Sequence, residues 1–189
     1  MRTVHIVVDM LYDFIDGSLA CLNAENAIVK SIEFINSNKN HKVIYVADSH
    51  PANHCSFRDY GGVWPAHCVK GTRGEKIHEK FYTLIEDLSS RPANDNILRK
   101  GEDFHHEQYS GFEAKSDDNH TLGEYLRNLG AEDIILSGIT TEYCVNETTR
   151  DLLRSGFRVS LLLDGLSYIT PESHRKTIEE LKKLGAKVI

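Results

Sequence analysis

Nearly continuous apolar runs at positions 4–8, 43–47, 134–136, 159–163 and 187–189 alternate along the chain with stretches of helical spacing. A run that is apolar at every position fits a strand covered on both faces, as in a parallel sheet flanked by helices. Helical spacing joins Ala27, Ile28, Ser31, Ile32 and Ile35, then Leu122, Tyr125, Leu126 and Leu129, then Val145, Thr148, Thr149, Leu152 and Leu153, and last Ile178, Leu181 and Leu184. Gly130, Gly156 and Gly185 stand just before strands, where a left-handed residue closes the last helical turn. Thr170-Pro171-Glu172 opens the final helix with a cap and a first-turn proline. The pattern predicts an α/β fold on an open sheet, with a further short strand at 97–99. Two long segments without a period, 49–74 and 100–119, are predicted as loops, and loops of that length in a compact domain are usually functional.

Ligands of an open parallel sheet bind beyond the carboxyl ends of its strands. Four chemically loaded positions fall there: Asp9 after the first strand, Asp48 after the second, Lys100 after 97–99, and Gly138-Ile139-Thr140-Thr141-Glu142-Tyr143-Cys144 after 134–136.

Composition narrows the partners more than the fold. The 189 residues are 40% hydrophobic and 26% charged, proportions of an ordinary globular protein, and the length favours one domain over 1–189. A net charge of −6 without a Lys/Arg cluster excludes a nucleic-acid binder. No run approaches the ~18 apolar residues of a membrane span, and charge follows Met1 too soon for a signal peptide. The expectation is a soluble cytoplasmic protein with no membrane partner, in which Cys21, Cys55, Cys68 and Cys144 are free thiols; a homo-oligomer is left open. Ten histidines is a high count, and His50, His54 and His67 fall close together.

Each candidate has a chemical and a plain reading. Cys144 opens a helical pattern, where unpaired N–H groups favour a thiolate nucleophile, or it is a buried apolar thiol. Asp9 is a cleft carboxylate or a cap for the following turn; Lys100 is a site ammonium or a solvated loop charge. Together the three make a coherent site, in which the carboxylate takes the thiol proton and the thiolate attacks a carbonyl. Asp48-x-His50 with His54 and His67 has the donors of a mixed O/N metal site, suited to zinc, iron(II) or manganese, or the histidines titrate in a surface loop.

With those residues in hand, the chain resembles the nicotinamidase (pyrazinamidase) branch of the isochorismatase-like cysteine hydrolases almost end to end. The matching motifs are Asp9-x-x-x-Asp13-Phe14, Asp48-Ser49-His50-Pro51 with His54-x-Ser56-Phe57, Trp64-Pro65-Ala66-His67-Cys68-Val69-x-Gly71-Thr72-x-Gly74, Lys100-Gly101, Tyr109-Ser110-Gly111-Phe112 and Gly138 to Val145. The Trp-Pro-x-His-Cys run discriminates most, since family members without metal generally lack it. The resemblance implies a three-layer α/β/α, Rossmann-like fold with a six-stranded parallel sheet. It implies a catalytic triad of Asp9, Lys100 and Cys144, and an oxyanion hole from the N–H groups of Thr140 and Cys144 after a cis Ile139-Thr140 bond. Asp48, His50 and His67 would hold a divalent metal, zinc first with iron or manganese as alternatives, and His54 would be a further ligand or a supporting group. Phe14, Trp64 and Tyr109 would line a pyridine pocket. Two departures stand out: Leu11 where many relatives carry Gln, and Glu142 where Asp is commoner. The implied activity is hydrolysis of nicotinamide, with pyrazinamide as a second substrate, in NAD salvage. A sibling hydrolase of another small amide or carbamoyl compound is the alternative within the family, and a non-catalytic metal-binding or thiol-redox module the alternative outside it.

Overall fold

The apolar runs become the strands of one parallel sheet in the computed structural model, which describes residues 2–189. In chain order they are β1 (Arg2–Val8), β2 (Lys42–Asp48), β3 (Ile97–Lys100), β4 (Ala131–Gly138), β5 (Arg158–Leu166) and β6 (Lys187–Val188), arranged 3-2-1-4-5-6. Helices α1 (Tyr12–Ile15), α2 (Ala24–Ser37) and α3 (Lys80–Thr83) cover one face. The other is covered by α4 (Leu122–Asn128), α5 (Cys144–Arg154) and α6 (Pro171–Lys183). The sequence pattern does not announce α1 and α3, because four residues are too few to show a period. The layers follow from alternation within each strand: Val4, Ile6 and Val8 of β1 face α4 to α6, while Val7 turns toward α2.

The predicted helix ends are in place. Gly130, Gly156 and Gly185 are left-handed, and Thr170 caps α6 through the Ser173 N–H ahead of Pro171. No helix among the described residues is long and apolar enough to cross a membrane.

The strand order locates the site. The chain winds outward from β1 through β2 to β3, then returns to place β4 on the other side of β1. The carboxyl ends of β1 and β4 therefore flank a switch point, where open α/β sheets bind ligands. Gly138 makes their close approach workable: its φ is +140°, and a Cβ there would stand 2.2 Å from the Val8 carbonyl oxygen. Ile139 N–H donates to that same oxygen at 2.9 Å.

His5, on the α2 face of β1, has no access to solvent. Its Nε2 shares a 2.9 Å hydrogen bond with Ser137 Oγ, its Nδ1 has no partner among the described residues, and Phe34 meets the ring edge-on. Burial, with a smaller contribution from His41, pushes its pKa from 6.5 down to about 3. The unfolded chain binds a proton below 6.5 that the folded chain refuses. Stability is therefore complete above that pH and declines as pH falls from 6.5 toward 3. We expect denaturant titrations to show His5 contributing up to about 4–5 kcal/mol of this loss, and His5→Gln to flatten that part of the profile; an unchanged slope would refute the assignment.

Candidate active site and metal centre

Three adjacent strand ends and one helix start deliver a buried ionic cluster. β3 ends in Lys100, in register with Asp48 at the end of β2. Asp9 follows β1 in a left-handed conformation (φ 51°), and Cys144 opens α5. The Lys100 ammonium lies 3.0 Å from Asp9 Oδ2, donates to Asp48 Oδ1, and stands 3.5 Å from Cys144 Sγ. Burial alone would pull Lys100 down, but the charges of Asp48 and Asp9 outweigh it and keep the ammonium protonated. Burial and then the Asp48 charge push Asp9 up to about 6, against the pull of Lys100. Asp9 Oδ1 also accepts the Asp48 N–H at 3.0 Å. The Leu11 side chain is fully buried in the α2-side core, and the residue reaches Asp9 only through its backbone N–H, which donates to the Asp9 carbonyl at 2.7 Å.

Of the two sequence readings of Cys144, burial bears on which form the thiol takes. A helix start favours a thiolate, but here burial pushes the Cys144 thiol well up, and the Asp9 and Asp48 charges add to the rise against the pull of Lys100. The direction of that shift favours the protonated thiol at rest. Around it, the Ile139-Thr140 peptide is cis, and α5 has no side-chain cap. The N–H groups of Thr140 and Cys144 have no partner among the described residues. Glu142 anchors this loop to the start of α6: its Oε1 accepts from Ile169 N–H at 3.0 Å, Thr170 N–H at 3.3 Å and Ser173 Oγ at 2.6 Å.

Beside the ionic cluster, donor atoms of Asp48, His50 and His67 lie within 4.8 Å of one another, all three residues buried. His50 Nδ1 donates to the Gly101 carbonyl at 2.8 Å, and its Nε2 is buried with no hydrogen bond, 3.5 Å from Asp48 Oδ2. His67 Nδ1 donates to the Pro65 carbonyl at 2.8 Å, and burial holds this imidazole below its usual pKa, in the neutral form a metal ligand needs. These carbonyl bonds engage Nδ1 of both rings and leave Nε2 as the atom each can offer a metal, while at His50 burial pulls the imidazole pKa down and the Asp48 carboxylate outweighs it, raising it. An orphaned buried nitrogen facing a carboxylate and a second imidazole fits a divalent cation. Gly101 is obligatory in this arrangement, since a Cβ at its φ of +74° would stand 2.3 Å from His50 Cε1.

His54 lies outside this group of donor atoms, and of the two roles expected of it the contacts fit the supporting one. Its Nε2 donates to the His106 carbonyl at 3.1 Å, and its Nδ1 accepts from Ser56 Oγ at 2.7 Å and Ser56 N–H at 3.3 Å, so no lone pair is left. The ring stacks on His50 with centroids 4.1 Å apart, supporting a ligand rather than being one.

A cavity of about 430 Å³ opens onto Cys144, Thr140, Asp48 and His67, with Phe14, Trp64 and Tyr109 on its walls as expected. Trp64 Nε1 donates to Tyr109 Oη at 3.1 Å, and Tyr143 packs against both rings. Sequence reasoning missed three contributors. Tyr143 was readable from its place beside Cys144. Glu107 lines the cavity, and Gln108 binds Gly101 N–H at 3.1 Å; both lie in an aperiodic acidic stretch that gave no signal.

Fold and site together define a Rossmann-like α/β protein with a cysteine, carboxylate and lysine cluster beside a carboxylate–imidazole centre. The Isochorismatase domain family model matches residues 3–189, and the chain belongs to that family. It is 28% identical over 189 residues to the nicotinamidase/pyrazinamidase of Mycobacterium tuberculosis, covering 97% of this chain and 96% of that protein. Among solved structures it is similar to the pyrazinamidase of Pyrococcus horikoshii in complex with zinc (TM-score 0.85, 36% identity, covering 100% of this chain and 99% of that one). It is also similar to the yeast nicotinamidase Pnc1p bound to the inhibitor nicotinaldehyde (TM-score 0.86, 26% identity, 100% and 99% covered).

The donor geometry sets an expectation for metal binding. His50→Ala and His67→Ala should each weaken zinc affinity by at least about 100-fold in chelator competition, while His54→Ala should lose only about 10-fold, the range of a supporting residue. Full zinc affinity in the His67 variant would remove that residue from the centre.

Proposed function

We propose that the chain is a metal-dependent cysteine amidohydrolase that converts nicotinamide and water to nicotinate and ammonia, serving NAD salvage. The observation that carries this reading is that the Cys144 thiol and the Asp48–His67 side of the metal centre open on one aromatic-walled cavity. The named activities of the relatives support it. Asp48, His50 and His67 would hold the metal, with zinc the first choice on the donor set and iron(II) or manganese(II) compatible. When bound, the metal supplies an open coordination position for the pyridine nitrogen. Phe14, Trp64 and Tyr109 would hold the ring.

The remaining chemistry belongs to the chain. Asp9, with a pKa of about 6, is poised near neutrality to take the Cys144 proton. The thiolate attacks the carboxamide carbon while the N–H groups of Thr140 and Cys144 receive the oxyanion. Asp9 returns its proton to the leaving nitrogen, which departs as ammonia and leaves a thioester on Cys144. Asp9 then deprotonates a water that attacks the thioester; nicotinate departs and the proton returns to the thiolate. Lys100 stays charged throughout and offsets the negative charge that moves between Asp9 and Cys144.

Two measurements test the reading. Cys144→Ala and Asp9→Asn should each lower kcat by on the order of 10³-fold or more with zinc still bound; activity within tenfold of the native protein would refute the thioester route. Ammonia release from nicotinamide, pyrazinamide and benzamide tests the ring contact. Benzamide lacks the ring nitrogen, and a site built for a polar partner rejects an analogue without it by on the order of 10⁴ in kcat/KM, whereas pyrazinamide should be turned over. Equal values for benzamide and nicotinamide would leave recognition to the aromatic walls. Preference for a carbamoyl substrate would move the chain to a sibling activity, and no release from any amide would make it a binding module.

A further inference from the structure

The motif that supplies Asp9 contains a second carboxylate, Asp13, which the proposed chemistry does not use. Asp13 begins no proton path: it lies on α1, and its Oδ2 accepts the backbone N–H of Cys68 at 2.7 Å. Cys68 immediately follows His67, is fully buried, and has a left-handed φ of 48°. The same residue is gripped from its other side, where its carbonyl accepts the His50 N–H at 2.9 Å and Lys70 N–H returns a bond to the His50 carbonyl at 2.8 Å. Cys68 is thus the backbone unit through which His50 and His67 are registered to each other, and Asp13 is the side chain that holds its N–H.

The seat of Asp13 leaves it little freedom. A Cβ on Gly74 would stand 1.9 Å from Asp13 Oδ2, and one on Gly17 would stand 2.3 Å from Oδ1, so the carboxylate is wedged between two backbones. Asp13 N–H donates to the Gly74 carbonyl at 3.2 Å, and Leu19 N–H donates to the Asp13 carbonyl at 2.9 Å. A hydrogen bond to so fixed an acceptor oxygen can hold a backbone conformation that non-glycine residues rarely adopt.

We propose that Asp13 is the positioning residue for the metal centre: by binding the Cys68 N–H it fixes the left-handed turn that aims His67 at Asp48 and His50. The proposal rests on the metal-centre reading above. Asp9 and Asp13 then have separate tasks, one at the thiol and one behind the metal.

Zinc affinity by chelator competition, measured alongside the melting temperature of the metal-free protein, tests this on the native chain, Asp13→Ala, Asp13→Asn and Gly74→Ala. Asp13→Ala should weaken zinc binding by about 10–100-fold, the range seen when a supporting partner of a ligand is removed. Asp13→Asn keeps an acceptor oxygen and should stay within about threefold. Gly74→Ala displaces the carboxylate without touching any ligand, and should resemble the alanine variant. A purely structural role would lower the metal-free melting temperature and leave zinc affinity unmoved, and that result overturns the proposal. Equal damage from Asp13→Asn and Asp13→Ala also overturns it, because charge rather than the acceptor would then matter. A native chain that binds no zinc at all would sink the metal reading together with this one; tight native binding with an unaffected Gly74→Ala variant would sink this one alone. If Asp13→Ala fails to fold, the other two variants decide.

Discussion

A lysine ammonium with no access to water sets the terms for the rest of the site. An unpaired charge at that depth would cost several kcal/mol, so Lys100 requires anions, and Asp9 and Asp48 provide them. The sheet order makes this pairing available. Strands β3, β2 and β1 lie side by side, and their carboxyl ends present Lys100, Asp48 and Asp9 in that order. Across the switch point, the loop after β4 brings Cys144 against the same ammonium. Four residues spread over most of the chain thus become neighbours through strand order alone.

Asp48 joins the two halves of the site. One carboxylate oxygen accepts from Lys100 and the other lies 3.5 Å from Nε2 of His50. Burial pushes this carboxyl up, but the Lys100 charge and the His50 contacts carry it well below the usual range, so it remains an anion for both neighbours. A change at Lys100 would therefore reach the metal centre as well as the thiol.

The sequence made most of this framework readable because the physics is local. An apolar run that ends abruptly in Asp, Asp or Lys marks a buried strand end, and Gly or Thr-Pro marks a helix end whatever the tertiary context. The fold class, the strand ends bearing Asp9, Asp48 and Lys100, and the opening of α5 at Cys144 were legible for that reason. Properties set by distant neighbours were not. The ring of His54 is satisfied by Ser56 two residues on and by His106 fifty-two residues away, and no spacing rule encodes the second contact. The choice between the two readings of Cys144 stayed open because a helix start is visible in sequence, whereas enclosure beside two carboxylates is not. The role of Asp13 was not legible either, since its partner is a backbone N–H fifty-five residues away.

Burial, with the Asp9 and Asp48 charges, favours the protonated form of Cys144 at rest. A thiolate is the form that oxidants and adventitious metals attack, and a permanently ionised cysteine opening on a 430 Å³ cavity would be exposed to both. Donor atoms of Asp9, Asp48 and Cys144 converge closely enough to hold a cation, yet the Lys100 ammonium already stands among them. The lysine thus fills with a fixed covalent charge the position that a second metal would otherwise take. On the proposed route, the reactive form appears only when Asp9 takes the thiol proton, in the presence of an amide whose oxygen can be received by the uncapped start of α5.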